Sequence, residues 1–325
     1  DSNLLGAQTN VLETSGAGQT AQWEPPFNIR KLNCTMTPYV YRGGQDEYMI
    51  VDLETWEVTF EGLVGDQSNA NEKYNTDEYK TKKMAFRKVE AGVYQIGTAS
   101  GKTDAPNTVH NVTFSQPYYI AIFLMTKAQY ARIASGDTAS TDKLPQNAIS
   151  WNTLRDSAGS ASIPSGQGVC ALMNAKNKAN LRGFDLPTES MWEVAARAGV
   201  STRYFSGNTS GEADGEYMWC RENSGGQFMA VGLKKPNAWG LYDVLGNIGE
   251  ATRDTWNNGD LATLQTNGLV PINSGTAANF TRRSWSHDRS LYNDTYGDYG
   301  FPGRITYAKS NSGTWLCARM SYFPQ

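Results

Sequence analysis

Within RSWSHDRSLYNDTYGDYGF, residues 283 to 301, a histidine and an aspartate stand side by side at His287 and Asp288, with Arg289 and Tyr292 close behind. These residue types can move protons and hold anions, so an active site in this segment is one reading of them. Adjacency in sequence does not supply the geometry that a nucleophile, its base and an orienting acid require. The remaining reactive inventory is small. Only two histidines occur, His110 and His287, which excludes a histidine-rich metal site. Cys34, Cys170, Cys220 and Cys317 lie far apart and form no CxxC pair, which argues against a zinc knuckle or a thioredoxin-like redox site. Isolated cysteines are read as small buried hydrophobes; an oxidising compartment would leave three pairings open.

The same stretch also has the make-up of a binding surface. Tyr292, Tyr296, Tyr299 and Tyr307 are interleaved with Ser286, Ser290, Asn293, Asp294, Asp298 and Asn311. Tyrosine brings large amphipathic area with little rotamer entropy to lose, while serine and asparagine supply adaptable hydrogen bonding, the mixture found in antibody paratopes. A few such anchors carry most binding energy, each costing about 2 kcal/mol or more on truncation. The plain alternative is a long polar loop. Arg282 and Arg283, just before the segment, are read as partner contacts or solvated surface. Trp285 and Trp315 are read as framework.

Elements must position these residues. A chain of 325 residues, 39% hydrophobic with nine tryptophans, can bury a large core. Its net charge of −3 gives no pull toward phosphate backbones or anionic lipid, so no nucleic acid is expected. No run approaches the roughly 18 apolar residues of a membrane span, and residues 1 to 18 lack the basic start and apolar stretch of a signal peptide. Residues 1 to 30, rich in Gly, Ser, Thr, Gln and Asn, read as an extended arm. YMIVDL and WEVTFEGL, separated by Glu54-Thr55, read as a hairpin. A polar stretch from Gly65 leads to MAFRKVEAGVYQIGT, which reads as a strand pair about Ala91-Gly92, with a soft boundary near Lys83. KAQYARIAS, Lys127 to Ser135, has helical spacing. In LPTESMWEVAARAG, Thr188 is a suitable N-cap, Glu189 and Glu193 suit the early turns, Trp192, Ala195 and Ala196 share an inward face, and Gly199 ends the helix. Few helices and many loops give an α+β class.

Four blocks carry a resemblance. FRKVEAGVYQIGT at 86 to 98, HNVTFSQPYYIAIFLMTKAQYARI at 110 to 133, FDLPTESMWEVAARAG at 184 to 199 and KKPNAWGLYDVLGNIGEATRD at 234 to 254 resemble, in order, the formylglycine-generating enzyme (sulfatase-modifying factor) type of C-type lectin fold. The resemblance implies a loop-rich domain over 84–325, preceded by an arm and small strand-rich extension over 1–83. It also implies where chemistry would sit. The family's oxidases carry a copper-binding cysteine pair just after an RGGS[YW] segment; the matching residues here are Thr281, Arg282, Arg283, Ser284 and Trp285, and the cysteine positions hold His287 and Tyr292. Neither side chain replaces a soft thiolate ligand, so that activity is expected to be absent. The iron-dependent branch needs a histidine-rich helical domain, which two histidines cannot furnish. GNIGE at Gly246 to Glu250 resembles the family's GNVWE loop, making Asn247, the carbonyl of Ile248 and Glu250 candidate ligands of a structural calcium ion, with hydrogen bonding without metal as the competing reading. CAR at Cys317 to Arg319 matches the family's closing GFR strand.

Some members of this fold serve as variable proteins of diversity-generating retroelements, in which altered asparagine codons yield Tyr, Ser, Asp, His, Arg and Gly. The tail from Ser284 to Ser321 is dominated by that repertoire. The resulting expectation is a non-catalytic recognition protein whose ligand-contacting residues are Ser286, His287, Asp288, Arg289, Ser290, Tyr292, Asn293, Asp294, Tyr296, Asp298, Tyr299, Tyr307 and Asn311. Its partner would be a protein or cell-surface ligand, and the favoured locations are a cell surface, secretion or a phage particle, with the compartment left open. The alternatives are an enzyme with altered chemistry at His287, Asp288, Arg289 and Tyr292, or a structural subunit that self-associates through its N-terminal region.

Overall fold

Asp52 turns the first strand back on itself: its Oδ1 accepts from the backbone N–H groups of Glu54 (2.9 Å) and Thr55 (2.7 Å), an Asx-type turn. This joins β1 (Tyr48–Asp52) to β2 (Val58–Glu61) as the antiparallel hairpin that alternation in YMIVDL and WEVTFEGL predicts. The computed structural model describes residues 46–63, 66–97, 108–155, 164, 166–205, 207, 212–256, 266–272, 279–284, 305–308 and 316–324. β1 is buried from Tyr48 to Val51, and a strand so covered needs a neighbour on each side. It finds the second in β3 (Lys83–Val89), with Met49 opposite Phe86. The boundary expected between residues 83 and 84 therefore falls inside β3, and the strands of the expected extension share a sheet with the domain.

The polar stretch between them is helical. Asp66 accepts from the N–H groups of Ser68 and Asn69, and the Asn69 side chain accepts from the Asp66 N–H, a capping box that starts α1 (Gln67–Tyr74). α2 (Asp77–Thr81) follows. With few aliphatic residues, these helices dock through tyrosines: Tyr48 and Tyr74 rings lie 4.4 Å apart and Tyr74 and Tyr79 rings 5.1 Å apart.

The strand pair expected about Ala91-Gly92 is divided between sheets. β3 pairs with β1 and with β6 (Tyr118–Ala121), whereas β4 (Gly92–Ile96) pairs with β5 (His110–Phe114) in a two-stranded sheet. The large sheet has the order β2-β1-β3-β6-β12-β7, with β7 (Phe184–Asp185) at one edge and β12 (Ser321–Tyr322), from the end of the chain, beside β6. A four-stranded sheet has the order β10-β9-β8-β11. It comprises β8 (Gly249–Thr255), β9 (Asn279–Arg283), β10 (Ile305–Ala308) and β11 (Leu316–Cys317); β11 runs parallel to β8 and the other pairs are antiparallel.

Five further α-helices are described, α3 (Lys127–Ala134), α4 (Trp151–Arg155), α5 (Val169–Lys176), α6 (Glu189–Arg197) and α7 (Arg221–Ser224), with a 3-10 turn at Glu212–Glu216. α6 begins as its sequence indicates, with Thr188 Oγ1 accepting from Met191 N–H at 3.1 Å. Its far end differs, because Ala198 already takes the left-handed conformation (φ 46°) before Gly199. Its surroundings differ as well: every residue from Glu189 to Arg197 is buried, not one face alone. One core cluster gathers Phe86, Trp151, Phe184, Phe280 and Leu316; another packs Met191 and Trp192 of α6 against Phe114, Tyr118, Leu241 and Leu245. Side chains of this size stabilise by roughly 1.5–3 kcal/mol each when fully buried. A helix sunk this deep must find partners for its charged residues. Among the described residues, no helix is long and apolar enough to cross a membrane.

Candidate functional site

Ser286, His287, Asp288, Arg289, Ser290, Tyr292, Asn293, Asp294, Tyr296, Asp298, Tyr299 and Asn311 lie outside the described residues, as do Trp285 and Trp315. Tyr307 belongs to β10, in register with Phe280. The root of the tail is described, and its register is informative. Arg283 is opposite Glu250, Arg282 is opposite both Ala251 and Ile305, and Leu316 is opposite Gly249. Residue 284, which leaves the sheet, and residues 305 and 316, which re-enter it, thus share one end of the four-stranded sheet.

The two arginines expected at the surface are buried. Arg283 has a fully buried side chain. Its Nη2 donates to Glu193 Oε2 at 2.6 Å, its Nη1 lies 3.5 Å from Glu189 Oε1, and its guanidinium sits 5.0 Å from the centre of the Trp192 ring. The other oxygen of Glu193 accepts from Arg197 Nε (2.9 Å) and from Gly97 N–H (2.8 Å), while Arg197 Nη2 donates to Gly97 O (2.7 Å). Burial alone would raise the Glu193 carboxyl. Arg283, Arg197 and the Gly97 N–H outweigh it and hold the group at about 2. The RR dipeptide reads as surface because arginine is seldom fully buried unless paired; its partners are about 90 residues away in sequence.

Arg282 points to the other side of β9. A β-carbon on Gly249 would stand 2.6 Å from Arg282 Nε and 3.0 Å from its Cγ, so the arginine occupies the space over that glycine. The two departures from the family motifs are therefore reciprocal: where the resemblance implies a tryptophan at 249 and a glycine at 282, this chain has glycine under arginine.

Glu250 is equally committed. Arg319 Nε donates to its Oε2 and Arg319 Nη2 to its Oε1, both at 2.9 Å, and Trp192 Nε1 donates to Oε2 at 2.7 Å. The remaining Arg319 donors reach the carbonyls of Ala121, Ile122 and Tyr242. Asn247 exchanges two hydrogen bonds with the Met229 backbone, Oδ1 accepting from its N–H and Nδ2 donating to its carbonyl. Asn247, Ile248 and Glu250 do not fit a calcium ion as a set, because a cation would have to displace Arg319 and the Met229 backbone from their side-chain oxygens. One buried oxygen without a hydrogen-bond partner among the described residues belongs to Asp243, a carboxylate whose Oδ2 accepts from Gly232 N–H at 2.8 Å and whose Oδ1 has no such partner. Burial pushes its carboxyl up to about 6, with Glu250 adding to the rise and the Gly232 N–H and Arg319 opposing it.

Thiol chemistry is not prepared in the described residues. Cys170, Cys220 and Cys317 are free and buried. Burial raises Cys170 well above the usual thiol range, Cys220 to about 11 and Cys317 to about 12, so all three stay protonated near neutrality. Cys317 lies in β11, the strand expected from CAR; Cys34 is outside the described residues. His110 has Nδ1 2.7 Å from Thr108 O, and no group of three or more His, Cys, Asp and Glu forms a metal cage among the described residues.

Comparison with known proteins agrees with this architecture. The profile of the sulfatase-modifying factor enzyme 1-like domain family matches residues 71–301. A mouse (Mus musculus) protein, formylglycine-generating enzyme, is 33% identical over 85 residues, which is 23% of this chain and 23% of the enzyme's own length. Treponema denticola variable protein 1 superposes with a TM-score of 0.59 at 21% identity, over 74% of this chain and 96% of that one. PvdO from Pseudomonas aeruginosa superposes with a TM-score of 0.58 at 18% identity, over 73% of this chain and 94% of that one. At these identities the two structures speak for the fold.

Proposed function

Because this chain belongs to the sulfatase-modifying factor enzyme 1-like domain family and has its C-type lectin-like fold, we propose that it is a non-catalytic recognition protein that displays residues 285–304 to a protein or cell-surface partner. The observation that carries this reading is the root of the tail. Where the family's oxidases lead from glycines into a thiol pair, this chain has Arg282 and Arg283, both buried, followed in sequence by a segment without cysteine. The segment's tyrosines, serines, asparagines and aspartates suit adaptable binding, and a footprint of roughly 800 Å² per side is typical of stable partners. The similarity to Treponema denticola variable protein 1 supports the further reading that this is a variable protein of a diversity-generating retroelement, with His287, Tyr292, Tyr296 and Tyr299 among the exchangeable positions. Sequencing the neighbouring DNA tests that part. A near-copy of the last hundred or so bases beside a reverse transcriptase is expected, and its absence contradicts the variable-protein reading.

The match to formylglycine-generating enzyme favours a second reading, catalysis with altered chemistry at His287, Asp288, Arg289 and Tyr292. Copper analysis of the purified protein and an oxidation assay on a cysteine peptide separate the two. Bound copper or turnover supports the enzyme; neither is expected here.

A further inference from the structure

We propose that Arg283 is the positioning residue of this site, fixing the point and direction at which the recognition segment leaves the fold; the purpose of that positioning rests on the reading above. α6 offers Glu189 and Glu193 four residues apart, hence on one face of the helix, and Arg283 reaches both. Arg197 holds the second oxygen of Glu193, so the four charges named here cancel. A buried ion set of this kind is weak evidence of stability, because well-packed apolar residues often do as well in its place. What it supplies is direction, since a charge-assisted hydrogen bond to Glu193 together with an ion pair to Glu189 accepts few orientations of the guanidinium.

Three neighbouring features make the same exit rigid. Arg282, pointing to the opposite side of the strand, covers Gly249, where no β-carbon fits. Ser284 then turns into the left-handed region (φ 68°), and its Oγ donates to Gly246 O at 3.5 Å. Finally, β10 re-enters opposite Arg282. The path of the chain up to Ser284 is therefore held by contacts from β8, β9, β10 and α6. A binding surface whose side chains are exchangeable needs a root held in this way.

Hydrogen–deuterium exchange of the full chain tests the proposal. The variants are Arg283→Lys and the double variant Glu189→Gln/Arg283→Gln, which keeps the cluster neutral by leaving Glu193 with Arg197. The expected result is exchange at least about tenfold faster in residues 279–284 and 305–308, with β1 and β3 within about twofold of the parent. Unchanged exchange at β9 and β10 overturns the proposal, and so does equal acceleration in β1 and β3, which makes Arg283 an ordinary core residue. If the double variant does not fold, Arg283→Lys is read by the same criterion. Failure of the recognition reading appears elsewhere, as full partner capture by tail variants, and leaves the exchange result standing.

Discussion

Arg282 lies across Gly249, its Nε 2.6 Å from where a β-carbon on residue 249 would stand. The pair behaves as one packing unit, so a larger residue at 249 must displace the arginine. Gly249→Trp alone is expected to destabilise by about 1–3 kcal/mol, the usual cost of overpacking. Combining it with Arg282→Gly is expected to recover at least half of that. Urea denaturation of the two single variants and the double variant measures the coupling, expected at about 1 kcal/mol or more; strict additivity contradicts the reciprocal exchange.

Glu250 and Arg319 tie β8 to the chain end, and Trp192 joins them to α6. Removing one charge leaves the other buried without its counter-ion. Glu250→Gln is expected to cost about 3–5 kcal/mol, read as a lower denaturation midpoint with an unchanged slope. A loss below about 1 kcal/mol would mean that solvent reaches this pair.

Asp243 gives the stability a pH signature. Its carboxyl titrates at about 6 in the folded chain against 3.8 when unperturbed, so the folded state holds the proton more tightly than the unfolded state. Its contribution to stability is full below pH 3.8, falls as pH rises toward 6, and is lost above it. Asp243→Asn is therefore expected to be the more stable protein at pH 7 by about 2–3 kcal/mol, with the advantage shrinking toward pH 4. Thermal or urea unfolding of both proteins across pH 4 to 7.5 with chelator present checks the sign. A difference that does not change with pH rules out this carboxyl as the source.

What the sequence made legible was local. Thr188 with the pattern of LPTESMWEVAARAG marks α6 within a residue, and alternation marks the β1–β2 hairpin, because caps and period-two patterns depend on neighbours in the chain. Long-range partners were not legible. GVYQI follows KVEAG as a hairpin would, yet β4 belongs to β5, since turn residues alone do not say which strand edges are free. QSNANEKY looks like loop because its helix docks by Tyr74, not by an aliphatic stripe. Arg282 and Arg283 look like surface until Gly249, Glu189 and Glu193 are seen beside them. The one available signal was paired deviation: two motif glycines became arginine while a motif tryptophan became glycine. The tail's candidate contact residues were legible only as composition, and all of them but Tyr307 lie outside the described residues.

The central claim, recognition by the segment rooted on Arg283, is tested most directly with the triple variant Tyr292→Ala/Tyr296→Ala/Tyr299→Ala. Capture of a partner from a cell-surface protein extract and the melting temperature are measured side by side with the parent. The account predicts loss of capture with the melting temperature within about 2 °C, as expected for residues outside the core. Full capture, or a large fall in melting temperature, contradicts it.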